Sequence, residues 1–181
     1  TEARLRELFT VDASSLPELY ADYLRLPWYR IYTLNIDDLI DATQRRFDLP
    51  FEIVTLSALR DELPPPDKLS AVHLNGRLSD LPEVTFSPLQ YGQRTSGLDL
   101  VYPQLVRELA THSTVFIGTQ LEEPTFWHHV ALRGPRSVGR ELRPKSYIVT
   151  PRLSTARAAM LDQFNVKHVP MTAAQFWEAF V

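Results

Sequence analysis

Residues 29–47 read YRIYTLNIDDLIDATQRRF, and this stretch decides the fold. Its opening segment, 29–34, is rich in β-branched and aromatic side chains, which predicts a strand. From Asp37 to Phe47 the apolar residues recur with helical spacing, which predicts a helix. A strand that runs directly into a helix is the repeating unit of α/β proteins, so we expect an α/β fold.

The same alternation of short apolar runs and helical patterns extends along the rest of the chain. Further strands are predicted over 51–56, 69–74, 83–86, 113–117, 146–150 and 166–169. Helices are predicted over 1–9, 15–25, 98–110 and 125–132, after Ser154, and after a capping box at 172–175, whereas 87–97 has the pattern of a loop or a broken helix. Strands separated by helices predict a Rossmann-like parallel sheet with helices on both faces. Such sheets bind ligands outside the carboxyl ends of their strands.

The composition is that of an ordinary globular protein, and it excludes several kinds of metal, redox and catalytic site. The chain has 181 residues, which is enough for one domain with a full core. It contains no cysteine, so disulfides, zinc–thiolate sites, iron–sulfur clusters and a cysteine nucleophile are excluded. The pairs His128-His129 and Glu122-Glu123 lack metal-site spacing, so no metal is expected. No apolar run approaches the roughly 20 residues that span a bilayer, and no membrane contact is expected.

The charge pattern gives no sign of a nucleic-acid surface. The chain has 19 Lys and Arg residues against 22 Asp and Glu residues, which gives a net charge of -3. Arginines at 133, 136, 140 and 143 form a basic run in a predicted loop, without interleaved aromatic residues. We therefore expect a solvated surface or an interdomain contact there, and no direct nucleic-acid binding by this domain.

Two predicted strands end in polar residues that could carry chemistry. Asn35 and Asp37 follow the first strand, where an amide and a carboxylate can bind a ligand or simply cap the helix. His73 ends a later strand, just before the turn sequence Asn75-Gly76. A histidine with an ordinary pKa of about 6.5 can act as a base at neutral pH, although a lone histidine in this position is more often a core or edge residue.

A third strand end has a different character. The strand over 113–117 stops at Gly118, which lets a ligand approach the backbone closely. Thr119 and Gln120 follow and can form hydrogen bonds with sugar hydroxyls. The alternative for this segment is an ordinary turn from strand to helix.

These three strand ends, in this order along the chain, resemble motifs of the sirtuin superfamily. Thr33-Leu34-Asn35-Ile36-Asp37 resembles the Thr-x-Asn-(Ile/Tyr)-Asp motif, and His73 resembles the catalytic histidine. Gly118-Thr119-Gln120-Leu121 resembles the Gly-Thr-Ser-Leu segment that lines the NAD ribose. The resemblance covers about residues 28–181 and is to a bacterial sirtuin-like domain of the branch that hydrolyses NAD.

Departures from the family pattern shape the expected activity. The chain lacks the four-cysteine zinc ribbon of sirtuin deacylases, and Gln120 stands where the family has serine. Two residues separate His73 from Gly76, where the family has His-Gly. Residues 1–34 contain no glycine, whereas the family's first strand leads into a glycine-rich loop that cradles the pyrophosphate. We therefore expect 1–181 to be a single sirtuin-like NAD-binding domain, a fragment without that glycine-rich segment and first strand.

The resemblance implies a role for each matched residue. NAD is the substrate, which is cleaved to nicotinamide and ADP-ribose, and zinc is not expected. Asn35 and His73 are the implied catalytic residues. The implied cofactor-binding residues are Thr33, Asp37, Gly118, Thr119, Gln120 and Leu121.

The resemblance also implies a cellular setting. Sirtuin-like NAD hydrolases (NADases) act in the bacterial cytoplasm as effector domains of anti-phage defence proteins, joined to further domains or subunits, and we expect an oligomer. Three alternatives stay open: a non-catalytic NAD or ADP-ribose binding module or scaffold, an NAD-dependent protein deacylase, and a purely structural α/β domain.

Overall fold

The computed structural model describes residues 2–60, 62, 64–97, 99–133 and 143–180. Positions 136 and 140 of the basic run lie outside the described residues. The fold is α/β, with two small parallel three-stranded sheets and helices that flank them, as the alternation of patterns predicts. The chain divides into two compact units, Thr1–Gly92 and Gln93–Val181. The single-domain organisation stays a prediction.

The first unit carries the strand–helix stretch that decides the fold. Its elements are α1 (Glu2–Phe9), α2 (Leu19–Arg25), β1 (Ile31–Thr33), α3 (Leu39–Arg46), β2 (Ile53–Ser57) and β3 (Leu69–His73), followed by α4 (Pro88–Ser96), which runs into the second unit. The strands are parallel in the order β1-β3-β2. Thr33 and Ser57 are both register partners of His73, so the three strands end together at one edge of the sheet.

Two apolar clusters hold this unit together. Leu24, Ile40, Ile53 and Ala71 pack between the helices and the sheet. A second cluster, Ile36 with Leu81 and Val84, lies beneath the loop from β1 to α3 and receives Leu5 and Phe9 of α1. The second cluster anchors Ile36, the residue between the two polar positions of the loop, because its burial removes apolar surface from water.

The outer edge of β2 is covered by side chains rather than by another strand. Gln44 on α3 donates to the carbonyl of Ile53 at 3.0 Å and accepts from its N–H at 2.7 Å. Arg77 donates to the carbonyl of Thr55 at 2.8 Å. These bonds satisfy backbone groups of an edge strand that would otherwise pair with another chain.

The second unit repeats the alternation. Its elements are α5 (Val101–Leu109), β4 (Val115–Ile117), α6 (Pro124–Arg133), β5 (Ser146–Val149), α7 (Thr155–Asp162), β6 (Val166–Val169) and α8 (Ala173–Phe180). The strands are parallel in the order β4-β5-β6. The two predicted caps are confirmed: the Ser154 hydroxyl accepts from the Arg157 N–H at 3.2 Å, and Thr172 and Gln175 form a capping box. Within the described ranges, no helix combines the length and the apolar character that crossing a bilayer requires.

Two local predictions are wrong. Residues 83–86 do not form a strand: Val84 is buried in the second cluster of the first unit, and Thr85 makes one backbone bond, from its N–H to the Asn75 carbonyl at 2.8 Å. Residues 88–96 form a continuous helix rather than a loop or a broken helix. The reason is a capping box, in which Gln90 accepts from the Ser87 N–H and the Ser87 hydroxyl accepts from the Gln90 N–H.

Candidate functional site

The loop between β1 and α3 displays two polar side chains in different ways. Asp37 accepts the Leu39 N–H, the first of α3, through Oδ1 at 3.2 Å from the position before the N-cap Asp38, and its Oδ2 has no hydrogen bond within the described residues. The Asn35 side chain is exposed and makes no hydrogen bond to any described part of the protein. Its backbone N–H donates to the Thr33 hydroxyl at 3.1 Å, which tightens the turn. The capping alternative therefore applies to Asp37 and leaves Asn35 available for a ligand.

Three successive carbonyls of this loop are held by the segment that ends β3. The Thr33 carbonyl accepts the Leu74 N–H at 2.8 Å. The Leu34 carbonyl accepts from Nδ2 of Asn75 at 2.9 Å. The Asn35 carbonyl lies 2.9 Å from Nδ1 of His73. The loop that presents Asn35 is thus fixed to the strand end that carries His73, residue by residue.

His73 is buried, with 2% of its surface exposed. Because a carbonyl oxygen only accepts, the bond to Asn35 requires a proton on Nδ1, and Nε2 of the neutral ring then carries a lone pair. Nε2 is buried and has no hydrogen-bond partner among the described residues. Burial lowers the pKa of His73 below its ordinary value, against the bond to Asn35, which raises it. The Arg77 guanidinium adds to the lowering, and Asp41 and Asp37 oppose it.

Asn75 is the site residue that the sequence-based assignment missed. It is 5% exposed, and its Nδ2 donates to the Leu34 carbonyl and to the Tyr91 hydroxyl at 3.1 Å. Its Oδ1 is buried without a partner in the described part of the chain. A signal was present in the sequence, because a polar residue directly after a strand is the criterion that selected His73, but the Asn75-Gly76 pair indicated only a turn.

A buried carboxylate fixes the turn behind this site. Asp80, 4% exposed, accepts from the Ser57 hydroxyl, the Arg77 N–H at 2.8 Å and the Arg60 guanidinium. Burial raises the pKa of Asp80, but the hydrogen bonds from Ser57, Arg77 and Arg60 outweigh it and hold the pKa below its ordinary value. Gly76 lies beside Asp80 with φ +91, and a Cβ there would sit 2.6 Å from the end of the Leu59 side chain, which would have to shift.

The second unit holds the remaining predicted residues in the turn after β4. Gly118 has φ +71, and no atom of the described residues lies within 4 Å of where its Cβ would be. The Thr119 hydroxyl accepts the Leu121 N–H at 2.9 Å, and the Gln120 carbonyl accepts from Arg157 at 3.2 Å. Leu121 has φ 56, and its carbonyl accepts from Trp127 and Arg157. Hydrogen bonds with three side chains thus hold the backbone of this turn, and no described atom occupies the space above Gly118.

The side chain of Leu121 is turned away from that space. It is buried and lines an apolar cavity of about 50 Å³ together with Phe116, Phe126 and Trp127. Any contact of Leu121 with a ligand therefore has to come from its backbone, whereas Thr119 is half-buried and Gln120 is exposed.

The predicted residues therefore fall into two groups. Thr33, Asn35, Asp37 and His73 come together at one edge of the sheet of the first unit, and Gly118–Leu121 form the turn of the second. Among the described residues, no group of three or more His, Cys, Asp or Glu side chains could hold a metal ion. Neither a protein-family model nor a curated protein matches this chain.

Proposed function

We propose that this chain is an NAD glycohydrolase that cleaves NAD to nicotinamide and ADP-ribose. The observation that carries the proposal is the bond from His73 to the Asn35 carbonyl, which leaves a neutral imidazole with a free Nε2 lone pair and ties that ring to the residue that carries an exposed amide. A buried base next to polar side chains at the carboxyl edge of a parallel sheet is the arrangement expected of a catalytic site in an α/β protein.

Cleavage of the bond between nicotinamide and ribose passes through an oxocarbenium-like state, as in glycoside hydrolysis. In the proposed reaction, Nε2 of His73 takes a proton from a ribose hydroxyl or from the attacking water. The negative charges of Asp41 and Asp37 favour protonation of His73, so they stabilise the imidazolium that forms. The water adds to C1′ of the ribose and gives its proton to His73 directly or to the ribose oxygen that His73 has deprotonated. Nicotinamide leaves as a neutral base with the electron pair of the broken C–N bond, and His73 then releases its proton to solvent.

The other polar groups of the loop have chemistry that suits the substrate. The Asn35 amide can donate to a ribose oxygen and accept from a water, which positions one against the other. The Asp37 Oδ2 can accept the N–H groups of the nicotinamide carboxamide, because only its Oδ1 is used by the helix. The turn Gly118–Leu121 of the second unit is the segment that the resemblance assigns to the adenosine-side ribose; taken by itself, it offers Thr119 and Gln120 as polar groups and a Gly118 with no described atom against its Cβ position.

The experiment is NAD consumption by the intact protein that contains this chain, followed as free nicotinamide by chromatography. We expect Asn35→Ala and His73→Gln each to lower turnover by about 100-fold or more, the usual range for loss of a positioned acid–base group. His112→Ala, which changes an exposed histidine of the second unit, is the matched control and should leave turnover intact. Unchanged turnover in both Asn35→Ala and His73→Gln would overturn the proposal.

The burial of His73 favours one second candidate, a module that binds NAD or ADP-ribose without cleaving it, because water reaches only 2% of the residue. Calorimetry with NAD, followed by an assay for nicotinamide, separates binding from cleavage. An acetylated-peptide assay separates both from a deacylase. The resemblance to defence NADases further supports a bacterial cytoplasmic effector that acts within an oligomer or a larger anti-phage assembly.

A further inference from the structure

The orientation of the Asn75 side chain is settled by its partners. The Leu34 carbonyl accepts only, so the atom that faces it at 2.9 Å must be the amide nitrogen. The same nitrogen directs its second hydrogen to the Tyr91 hydroxyl at 3.1 Å. Both N–H bonds are therefore used, and Oδ1 is left as a buried acceptor without a donor in the described part of the chain.

His73 shows the same pattern two residues earlier. Its Nδ1–H is used by the Asn35 carbonyl, and its Nε2 is a second buried acceptor without a donor among the described residues. Each side chain donates to the loop that follows β1, on consecutive carbonyls, so His73 and Asn75 face the same segment. A buried acceptor without a donor costs free energy, and two of them at one strand end call for a molecule with hydrogen-bond donors.

We infer that Asn75 is a specificity-determining residue, whose Oδ1 accepts a hydrogen bond from one hydroxyl of a ribose cis-diol while His73 accepts from the other. This inference rests on the proposed function and adds the recognition of the sugar. A cis-diol supplies two hydroxyl donors, one for each of the two buried acceptors. A substrate that lacks one hydroxyl leaves one acceptor buried and unpaired, which is how such sites reject it.

The test compares NAD with analogues whose nicotinamide ribose is 2′-deoxy or 3′-deoxy, in the intact protein and in two variants of Asn75. Asn75→Asp and Asn75→Ala both remove the N–H donors to Leu34 and Tyr91, but only Asn75→Ala removes the acceptor oxygen. The ratio of kcat/KM for NAD to that for each analogue is compared across proteins, so the intrinsic reactivity of the analogue cancels.

We expect one deoxy analogue to show a ratio that is about tenfold higher in the wild type and in Asn75→Asp than in Asn75→Ala, the usual worth of one buried hydrogen bond. If Asn75 is purely structural, or if its Oδ1 holds only a bound water, each variant should lower kcat/KM for NAD and for both analogues by one common factor. This result would overturn the inference while NAD cleavage itself stands.

Two further results complete the design. If the wild type binds NAD without cleaving it, the same ratios are measured as Kd values, and the inference survives the failure of the hydrolase proposal. If both variants fail to fold, equal binding of NAD and of both deoxy analogues by the wild type overturns the inference. A wild type that neither binds nor cleaves NAD overturns the inference and the proposed function together.

Discussion

His73 donates its Nδ1–H to the backbone carbonyl of Asn35 at 2.9 Å, so the ring is oriented by the main chain of the loop and not by a side chain. In many enzymes a carboxylate orients the catalytic histidine and stabilises its protonated form. A carbonyl orients the ring equally well but carries no net charge. The neutral form is therefore favoured here, and the burial of His73 favours it further.

The variant Asn35→Ala removes the side chain that is proposed to contact the substrate and keeps the backbone carbonyl that orients His73. The Asn35 side chain is exposed and has no hydrogen bond within the described residues, while its backbone carbonyl survives the change. We expect the free energy of unfolding to change by less than about 0.5 kcal/mol. Turnover of NAD should fall by about 100-fold, because the amide that is proposed to position the ribose or the water is lost. Urea denaturation and the nicotinamide assay on the same preparation measure both.

The lowered pKa of His73 determines the pH range in which NAD cleavage should be fast. A base with a pKa below its ordinary value of 6.5 is still mostly unprotonated at that pH, so NAD cleavage should keep more than half of its plateau rate there. The rate should fall only at lower pH. A rate that has already dropped well below half at pH 6.5 would contradict the neutral, buried base.

The lowered pKa of His73 also makes the free energy of unfolding depend on pH. The unfolded chain binds a proton at His73 near pH 6.5, whereas the folded chain resists it to lower pH. The contribution of His73 is therefore present above the unfolded pKa and is lost as the pH falls toward the folded pKa. Denaturation curves of the wild type and His73→Gln between pH 5 and pH 8 should converge on the acid side, and parallel curves would contradict this assignment.

The two carboxylate oxygens of Asp37 have different roles, and two substitutions at this position distinguish them. Its Oδ1 caps α3, and its Oδ2 is proposed to hold the nicotinamide carboxamide. Asp37→Asn keeps an oxygen for the Leu39 N–H and should cost little stability, whereas Asp37→Ala should cost about 1 kcal/mol, the usual net worth of one hydrogen bond. Both should raise KM for NAD by about tenfold through loss of the second oxygen. Equal KM values in the wild type and Asp37→Asn would remove Asp37 from the proposed site.

The sequence was informative wherever a pattern depended on local chemistry. Asn35 and His73 were selected because they follow apolar strands, and the parallel register that places Thr33 opposite His73 brings those ends together. Parallel pairing puts every carboxyl end at one edge, so strand ends identify a site without knowledge of side-chain positions.

Residues whose role depends on non-local contacts could not be assigned in this way. Val84 belongs to an apolar run, and only the cluster with Ile36 and Leu81 shows that this run packs as a loop. The Asn75 amide is polar after a strand, but its importance comes from the Leu34 carbonyl, 41 positions away in sequence. The capping box of Ser87 and Gln90 is an exception, because it is a local pattern that is legible in the sequence and that the prediction of a loop over 87–97 overlooks.

Asp80 makes the turn after β3 sensitive to acid. Its pKa is held below the ordinary 3.8, because hydrogen bonds from Ser57, Arg77 and Arg60 outweigh the effect of burial. Its contribution is present above 3.8 and is lost as the pH falls through the lower, folded pKa. Asp80→Asn should lower the free energy of unfolding by about 2 kcal/mol at neutral pH. The NH₂ group of the new amide would face one of the three groups that donate to Asp80, and that hydrogen bond would be lost.

The control for Asp80 is Asp12→Asn, at an exposed carboxylate that also accepts two bonds, both from Ser14. Its loss of stability should be clearly smaller, because water replaces the lost contacts. Denaturation at pH 7 and at pH 3 measures both variants. A loss for Asp80→Asn that is no larger than the loss for Asp12→Asn would show that the buried cluster does not hold the turn.

Gly76 and Gly118 share a left-handed backbone but differ in their surroundings, which makes them a matched pair. A Cβ at Gly76 would lie 2.6 Å from the Leu59 side chain, whereas a Cβ at Gly118 would meet no described atom within 4 Å. Gly118→Ala should therefore cost only the left-handed penalty of about 1 kcal/mol, and Gly76→Ala about 3 kcal/mol once steric overlap is added. If NAD occupies the space above Gly118, the methyl group should raise KM with little change in kcat. Urea denaturation and steady-state kinetics check both, and an unchanged KM would place the NAD ribose elsewhere.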